Sequence, residues 1–457
     1  MRNGRAKRPS SGRRLKVATA LNRRDFLRRG AATAGGLTVA TSLQGLLSRA
    51  EAAAPLGGKG LQASNNGGYG PLIDDPNGVL SLPAGFSYVR FGETGQLMSD
   101  GVPTPSLHDG MAAFEGPTRN LVRLVRNHEQ STGTPYALPA YDGLASGGTT
   151  NLVYDTAARE LVQSYSSLSG TVRNCAGGPT PWDSWLTCEE DFAIREKPHG
   201  YVFDIPADAT AAVDPVPLTD MGRFVHEAVA VDPASGIVYE TEDQGSSGFY
   251  RFVPNERRNL QAGGSLEMLA IRGKPGYDTR TGQKVGKPLE VRWVTIDEPN
   301  PAETTDALTV FNQGAAKGGA TFDRLEGAWF GDGSIFFVST SGGDAAVGQI
   351  WEYRPQGRFK GKLRLVFESP GPDLLDAPDN ICVSPSGALL LCEDGGDTQY
   401  MRGITERGQI FDFGRNDLNG SEFAGSTFSP DGETLFVNIQ TPGITFAVTG
   451  PWERGEL

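Results

Sequence analysis

The residues best suited to chemistry in this sequence are acidic, and they recur at fixed distances from turns. Counting six residues past the turn residue of successive hairpins reaches Glu190 from Ser184, Glu242 from Gly236, Ser339 from Gly333, Glu393 from Gly387 and Asn438 from Gly432. Glu129, in Asn127-His128-Glu129, closes this set. Counting four residues back from the apolar residue that precedes each turn gives a second set: Asp109, Cys175, Glu227, Glu326, Asp379 and Ala424. All of the second set except Ala424 carry a side chain able to ligate a metal. Acids gathered this densely raise one another's pKa values until some stay protonated, unless cations neutralise them. Bound metals are the simpler outcome. Carboxylate and carbonyl oxygens suit Ca²⁺, whereas a lone thiolate among carboxylates suits a transition metal.

Taken singly, Asp191, Asp243 and Asp394 read as solvated loop acids, and only the recurring offset gives the rings weight. Cys188, Cys382 and Cys392 sit inside apolar strand text and read as core thiols. Cys175 differs, because it is followed by Ala176-Gly177-Gly178, where two glycines permit close backbone approach. His108, His128 and His226 each neighbour an acid, and each is expected to support a ligand rather than bind metal itself.

These residues are positioned by a repeated hairpin, in which an apolar strand meets a Pro/Gly turn and a second apolar strand follows. The clearest copies run through Val231-Asp232-Pro233-Ala234-Ser235-Gly236, Val383-Ser384-Pro385-Ser386-Gly387 and Phe428-Ser429-Pro430-Asp431-Gly432. Looser copies pass through Asp332-Gly333, Asp183-Ser184 and the stretch from Phe114 to Leu121. Six hairpins with further strand-like runs between them predict an all-β, six-bladed β-propeller with loop and short helical insertions. A two-sheet sandwich shares these cues and is the structural alternative. In a propeller, equivalent positions of successive blades surround one axis, so both acidic sets are expected at the same end.

The first 54 residues are of a different kind. A basic stretch runs into the weakly apolar Gly30 to Leu47, and its centre, Asn22-Arg23-Arg24-Asp25-Phe26-Leu27, is similar to a twin-arginine export signal. Glycines and polar residues interrupt the apolar run, whereas a membrane anchor needs about 20 predominantly apolar residues. Cleavage near Ala53 or Pro55 is expected, leaving residues 55–457 as a single domain without a stable membrane anchor. The leader holds twelve Lys and Arg but only Asp25 and Glu51, so its removal leaves 30 basic against 52 acidic residues, a formal charge of −22 in place of −12. A chain this acidic is unsuited to nucleic acid, whose binding rests on Lys and Arg. Four cysteines without metal-type C-x-x-C spacing, in a chain this large, argue against a disulfide framework.

Arg126-Asn127-His128-Glu129, Gly147-Gly148-Thr149-Thr150-Asn151, Asn174-Cys175-Ala176-Gly177-Gly178, Thr180-Pro181-Trp182, Cys188-Glu189-Glu190, His226-Glu227-Ala228, Arg324-Leu325-Glu326-Gly327, Asp379-Asn380 and Cys392-Glu393-Asp394-Gly395 together resemble the PhoX-type alkaline phosphatases. The resemblance covers nearly all of the mature chain. It implies a six-bladed propeller, exported by the twin-arginine translocase to the periplasm or beyond, that hydrolyses small phosphate esters, monoesters foremost, with Fe³⁺ and Ca²⁺ grouped at one end of the axis. By matching motif it assigns iron to Cys175, Glu227 and Glu326. It assigns calcium to Glu129, Glu190, Glu242 and Glu393, with Asp243 and Asp394 beside them. Arg324 is similar to the family's phosphate-binding arginine, and Lys274 is the candidate for a further substrate-contacting cation. A monomer is expected. The rival readings are a calcium-dependent propeller lactonase or phosphotriesterase, which needs no thiolate, and a non-catalytic propeller that binds calcium for stability alone.

Overall fold

The computed structural model describes residues 68–396 and 398–457, so the twin-arginine segment lies outside the described residues. Six groups of antiparallel strands stand around one axis. The innermost strand of each, in chain order His108–Glu115, Asn174–Pro179, His226–Val231, Leu325–Gly331, Pro378–Val383 and Phe423–Phe428, packs on the next, and the last packs on the first. The turns after these strands are the ones the hairpin text marks. Gly236, Gly333, Gly387 and Gly432 adopt φ of 77°, 70°, 95° and 79°, which glycine reaches without a Cβ penalty.

The six groups form five hydrogen-bonded sheets rather than six. Strand Leu289–Thr295 pairs on one side with Gly264–Ile271, the outer strand of the third blade, and on the other with Gly361–Glu368, the outer strand of the fourth. Two blades thereby become one nine-stranded sheet, and two outer edges that would otherwise be bare are covered. The N-terminal part of the described chain closes the ring. Leu80–Pro83 extends the fifth blade by pairing with Ile410–Asn416, and Ser87–Phe91 completes the sixth by pairing with Ile444–Thr449. The core lies between blades, where buried apolar faces meet. Phe249 and Phe337 stack across the third and fourth with centroids 4.2 Å apart. Helix is confined to Thr309–Ala316 and three 3₁₀ turns among the described residues, as expected for short insertions. No helix among these residues is long and apolar enough to cross a membrane.

One irregularity recurs in every blade and decides where the side chains point. Each innermost strand slips register against its neighbour, between His108 and Met111, Asn174 and Gly177, His226 and Val229, Leu325 and Ala328, Pro378 and Ile381, and Ala424 and Thr427. A bulge of this kind bends the strand and re-aims the residues it leaves unpaired.

Candidate metal centre

The unpaired residues of five bulges begin with Asp109, Cys175, Glu227, Glu326 and Asp379, all buried. In the sixth blade Ala424 pairs with Asn438, so the unpaired residues there begin with Gly425, which brings no ligand. Cys175 can approach the axis because of the glycines behind it: a Cβ on Gly178 would lie 1.9 Å from the Val229 carbonyl oxygen. Just past the end of each second strand a further bond recurs. The N–H groups of Glu129, Glu190, Asp243, Thr340 and Asp394 donate to the carbonyls of Leu107, Arg173, Val225, Arg324 and Ala377 at 2.9–3.1 Å. In the sixth blade the corresponding bond runs from Gln440 to Glu422, at 3.3 Å. That ladder sets a second ring above the bulges.

The two rings converge. Glu129, Cys175 and Glu190 bring one ligand atom each within 4.8 Å of one another, as do Asp109, Glu129 and Glu422, and Glu227, Glu326 and Asp379. The Cys175 thiol donates to Glu227 Oε1 at 3.1 Å. Gln440 Nε2 donates to Asp109 Oδ2 at 3.0 Å and Glu129 Oε2 at 2.8 Å. Arg173 bridges Glu129 and Glu190, and Arg324 bridges Asp243 and Glu326.

Two arginines do not offset so many acids. Burial, then the neighbouring carboxylates, pushes the carboxyls of Asp109, Glu227 and Glu326 well above the ordinary range, and Glu190 rises likewise against the opposing pull of Arg173. Asp379 is pushed up to about 6, chiefly by burial. The Cys175 thiol is raised by burial and then by Asp109 and Glu227. Asp109 Oδ1 and Glu227 Oε2 are buried with no hydrogen-bond partner. Buried unpaired acceptors are costly, and a cation satisfies them while restoring ionisation. The donor set therefore fits metal ions: oxygens for a hard cation, and one sulfur among them.

Glu242 and Glu393 are displaced from this cluster. Each stands one residue before the axial ring, on the opposite side of its strand. Glu242 accepts the Gly248 N–H at 2.9 Å and the Tyr250 hydroxyl at 2.7 Å. Glu393 accepts the N–H groups of Asp376 and Tyr400 and pairs with Arg402 Nε at 2.8 Å. Glu189 holds the matching place in the second blade, taking the N–H groups of Val172, Gly200 and Tyr201 and the His199 ring. These acids tie strand ends to adjoining loops. Their following residues, Glu190, Asp243 and Asp394, face the axis, with Asp394 solvent-exposed at the rim.

Lys274 is also elsewhere, in an exposed turn with its ammonium 4.6 Å from the Tyr277 ring centre. His108, His128 and His226 are buried and face the backbone carbonyls of Pro105, Ser106 and Gly222. Cys188, Cys382 and Cys392 pack in apolar clusters as expected. Sequence reasoning missed Arg173, Glu422 and Gln440. Beside the cluster opens a cavity of about 630 Å³, lined by Arg173, Glu190, Val225, Asp243 and Arg324 among others.

The description of the family "Alkaline phosphatase PhoX" matches residues 67–159 and 144–443. The chain belongs to the PhoX alkaline phosphatase family. It is accordingly a phosphoric ester hydrolase. Among solved structures, Pseudomonas fluorescens PhoX in complex with vanadate, a transition state analogue, is 18% identical and is matched over 88% of this chain and 99% of its own, with a TM-score of 0.65. That likeness carries the propeller fold to the present PhoX relative. A gluconolactonase from Xanthomonas campestris, 13% identical over 79% of this chain and all of its own, reaches a TM-score of 0.38. No curated protein matches the chain.

Proposed function

We propose that this PhoX-family protein is exported and hydrolyses phosphate monoesters at the mouth of the propeller axis, where Fe³⁺ and Ca²⁺ bind. Cys175, Glu227 and Glu326 would hold iron. Glu129, Glu190, Asp243 and Asp394 would hold calcium, with Asp109, Asp379 and Glu422 completing the oxygen set. When bound, such cations neutralise phosphoryl charge and acidify water enough for it to attack near neutral pH. The observation that carries the reading is the convergence of buried carboxylates, two of them with unpartnered oxygens, on a single thiol in a phosphatase of this family. A lactonase site has no use for that thiol.

The chain's own part in the reaction is positional and electrostatic. Arg324, which lines the cavity, is held by Asp243 through Nε and Nη2, and its Nη1 has no partner among the described residues. A planar fork fixed at one edge is preorganised to meet phosphoryl oxygens as charge develops on them. Glu326, braced by the same guanidinium, and Cys175 are the other proposed catalytic residues. Exhaustive chelation is expected to abolish hydrolysis of p-nitrophenyl phosphate, and refilling with iron and calcium to restore it. Activity that survives chelation would refute the centre. The leader predicts that changing Arg23 and Arg24 together to Lys leaves the protein uncut in the cytoplasm, and normal secretion of that variant would refute twin-arginine export.

A further inference from the structure

Arg173 repeats the setting of Arg324 two blades earlier in the chain. Each stands two residues before the bulge residue of its blade, Cys175 in one case and Glu326 in the other. Both have positive φ, 46° and 44°, a region that non-glycine residues rarely enter. The Arg173 N–H donates to Gln130 O at 2.8 Å and the Arg324 N–H to Gln244 O at 2.9 Å, in each case the residue after the axial acid of the preceding blade. The side chains follow the same scheme. Arg173 sends Nε and Nη2 to Glu129 at 2.9 and 2.7 Å and shares Nη2 with Glu190 at 2.7 Å. Arg324 sends the same two nitrogens to Asp243 at 2.9 Å and shares Nη2 with Glu326 at 2.8 Å. Neither Nη1 has a partner among the described residues, and the side chains are 42% and 45% exposed, open to the same cavity.

At the equivalent position the other blades carry Leu107, Val225, Ala377 and Glu422. Val225 lies between the two arginines around the ring and also lines the cavity, so the two guanidinium groups flank an apolar wall. An arginine that served only to brace acids would have no reason to keep a donor edge open to a cavity it shares with a second one placed alike.

We propose that Arg173 is a second phosphate-binding group, which with Arg324 forms a two-armed clamp selective for the dianionic phosphate of monoesters. The proposal rests on the phosphatase reading of this cavity and deepens it by assigning a second residue that grips the phosphate and sorts monoester from diester. A monoester offers three terminal oxygens and two charges, enough for both forks. A diester offers two terminal oxygens and a single charge, and so forfeits one of them.

The test compares wild type, Arg173→Gln, Arg173→Lys and Arg324→Gln, each filled with metal and assayed for metal content. Inorganic phosphate binding is measured by calorimetry, and kcat/KM with p-nitrophenyl phosphate and bis(p-nitrophenyl) phosphate. Losing a charge-assisted hydrogen bond should weaken phosphate binding by roughly 10- to 100-fold. Arg173→Gln is therefore expected to show that loss with metal content unchanged, to lower monoester kcat/KM at least as much, and to lower the diester rate by a smaller factor. Arg173→Lys should recover part of the affinity. Loss of metal in Arg173→Gln in proportion to lost phosphate binding would reduce Arg173 to a brace for Glu129 and Glu190 and overturn the clamp, as would unchanged phosphate affinity. An Arg324→Gln variant that binds phosphate normally would likewise overturn the clamp, of which Arg324 is the other arm, whereas a wild-type protein that hydrolyses no monoester would sink the proposed function, with the phosphate titration of Arg173→Gln still reporting on the clamp.

Discussion

Two sets of acids, one residue apart in sequence, behave in opposite ways. Glu189, Glu242 and Glu393 end their strands pointing away from the axis and accept from backbone N–H groups, a tyrosine hydroxyl, an arginine or a histidine, with Glu242 Oε1 alone of their oxygens buried without a partner. Glu190, Asp243 and Asp394 follow directly and face the axis, where like charges and two arginines are their company. Strand geometry makes the difference, since successive side chains leave opposite faces. An acid after a strand is therefore a candidate ligand only when its face is known, and chemically identical neighbours divide the labour of holding loops and holding ions.

The largest expected effects come from the axial side. Cys175→Ser should remove a thiolate-to-iron charge-transfer absorption together with more than about 100-fold of the phosphatase activity, since loss of a ligand exceeds the roughly 10–100-fold cost of losing a ligand's supporting partner. Visible spectra and steady-state rates check this, and an unchanged colour would remove Cys175 from the centre. Glu190→Gln should lower calcium content and activity together. Its neighbour Glu189 should behave otherwise, because Glu189→Ala strands several donors at about 1–3 kcal/mol each and is read as a fall in unfolding stability.

A smaller effect separates the two sets by pH. Burial pushes Asp379 up to about 6 on the axial side, and Glu393 to about 7 and Glu242 to about 8 behind it. A carboxyl with a raised folded pKa binds more protons in the native state than in the unfolded one. Stability of the metal-free protein should thus fall as pH rises from about 4 to about 8. Saturating calcium should cancel the axial share and leave a residual slope that Glu242→Gln reduces. Thermal melts across this range, with and without calcium, give the answer. If calcium leaves the slope untouched, the axial acids are not its ligands.

Much of this arrangement is legible in the sequence. The hairpins showed because their turns use glycine at positive φ, and Asp109, Cys175, Glu227, Glu326 and Asp379 could be aligned because five bulges fall at one offset from those turns. The displacement of Glu242 and Glu393 from the cluster has a physical source. In the second blade Asp183, at φ 64°, takes the part glycine plays elsewhere, so counting from Ser184 ran one residue long and landed on the axial Glu190. The same count from true glycines gave the outward acids of the third and fifth blades. Glu422 and Gln440 were hidden because the sixth blade pairs Ala424 where the others bulge. The sharing of one sheet by two blades was hidden as well, because Leu289–Thr295 shows its strand character but not its two partners.

If the axial acids hold the ions and the acids behind them do not, metal content must separate the two sets. The most direct measurement is metal content per chain, by elemental analysis after chelator stripping and refilling, for wild type, Cys175→Ser, Glu190→Gln and Glu242→Gln. Iron and calcium are expected in wild type, with loss of iron in Cys175→Ser, loss of calcium in Glu190→Gln and wild-type content of both in Glu242→Gln. Equal metal loss from Glu190→Gln and Glu242→Gln, or a fully active wild-type protein containing neither metal, would contradict it.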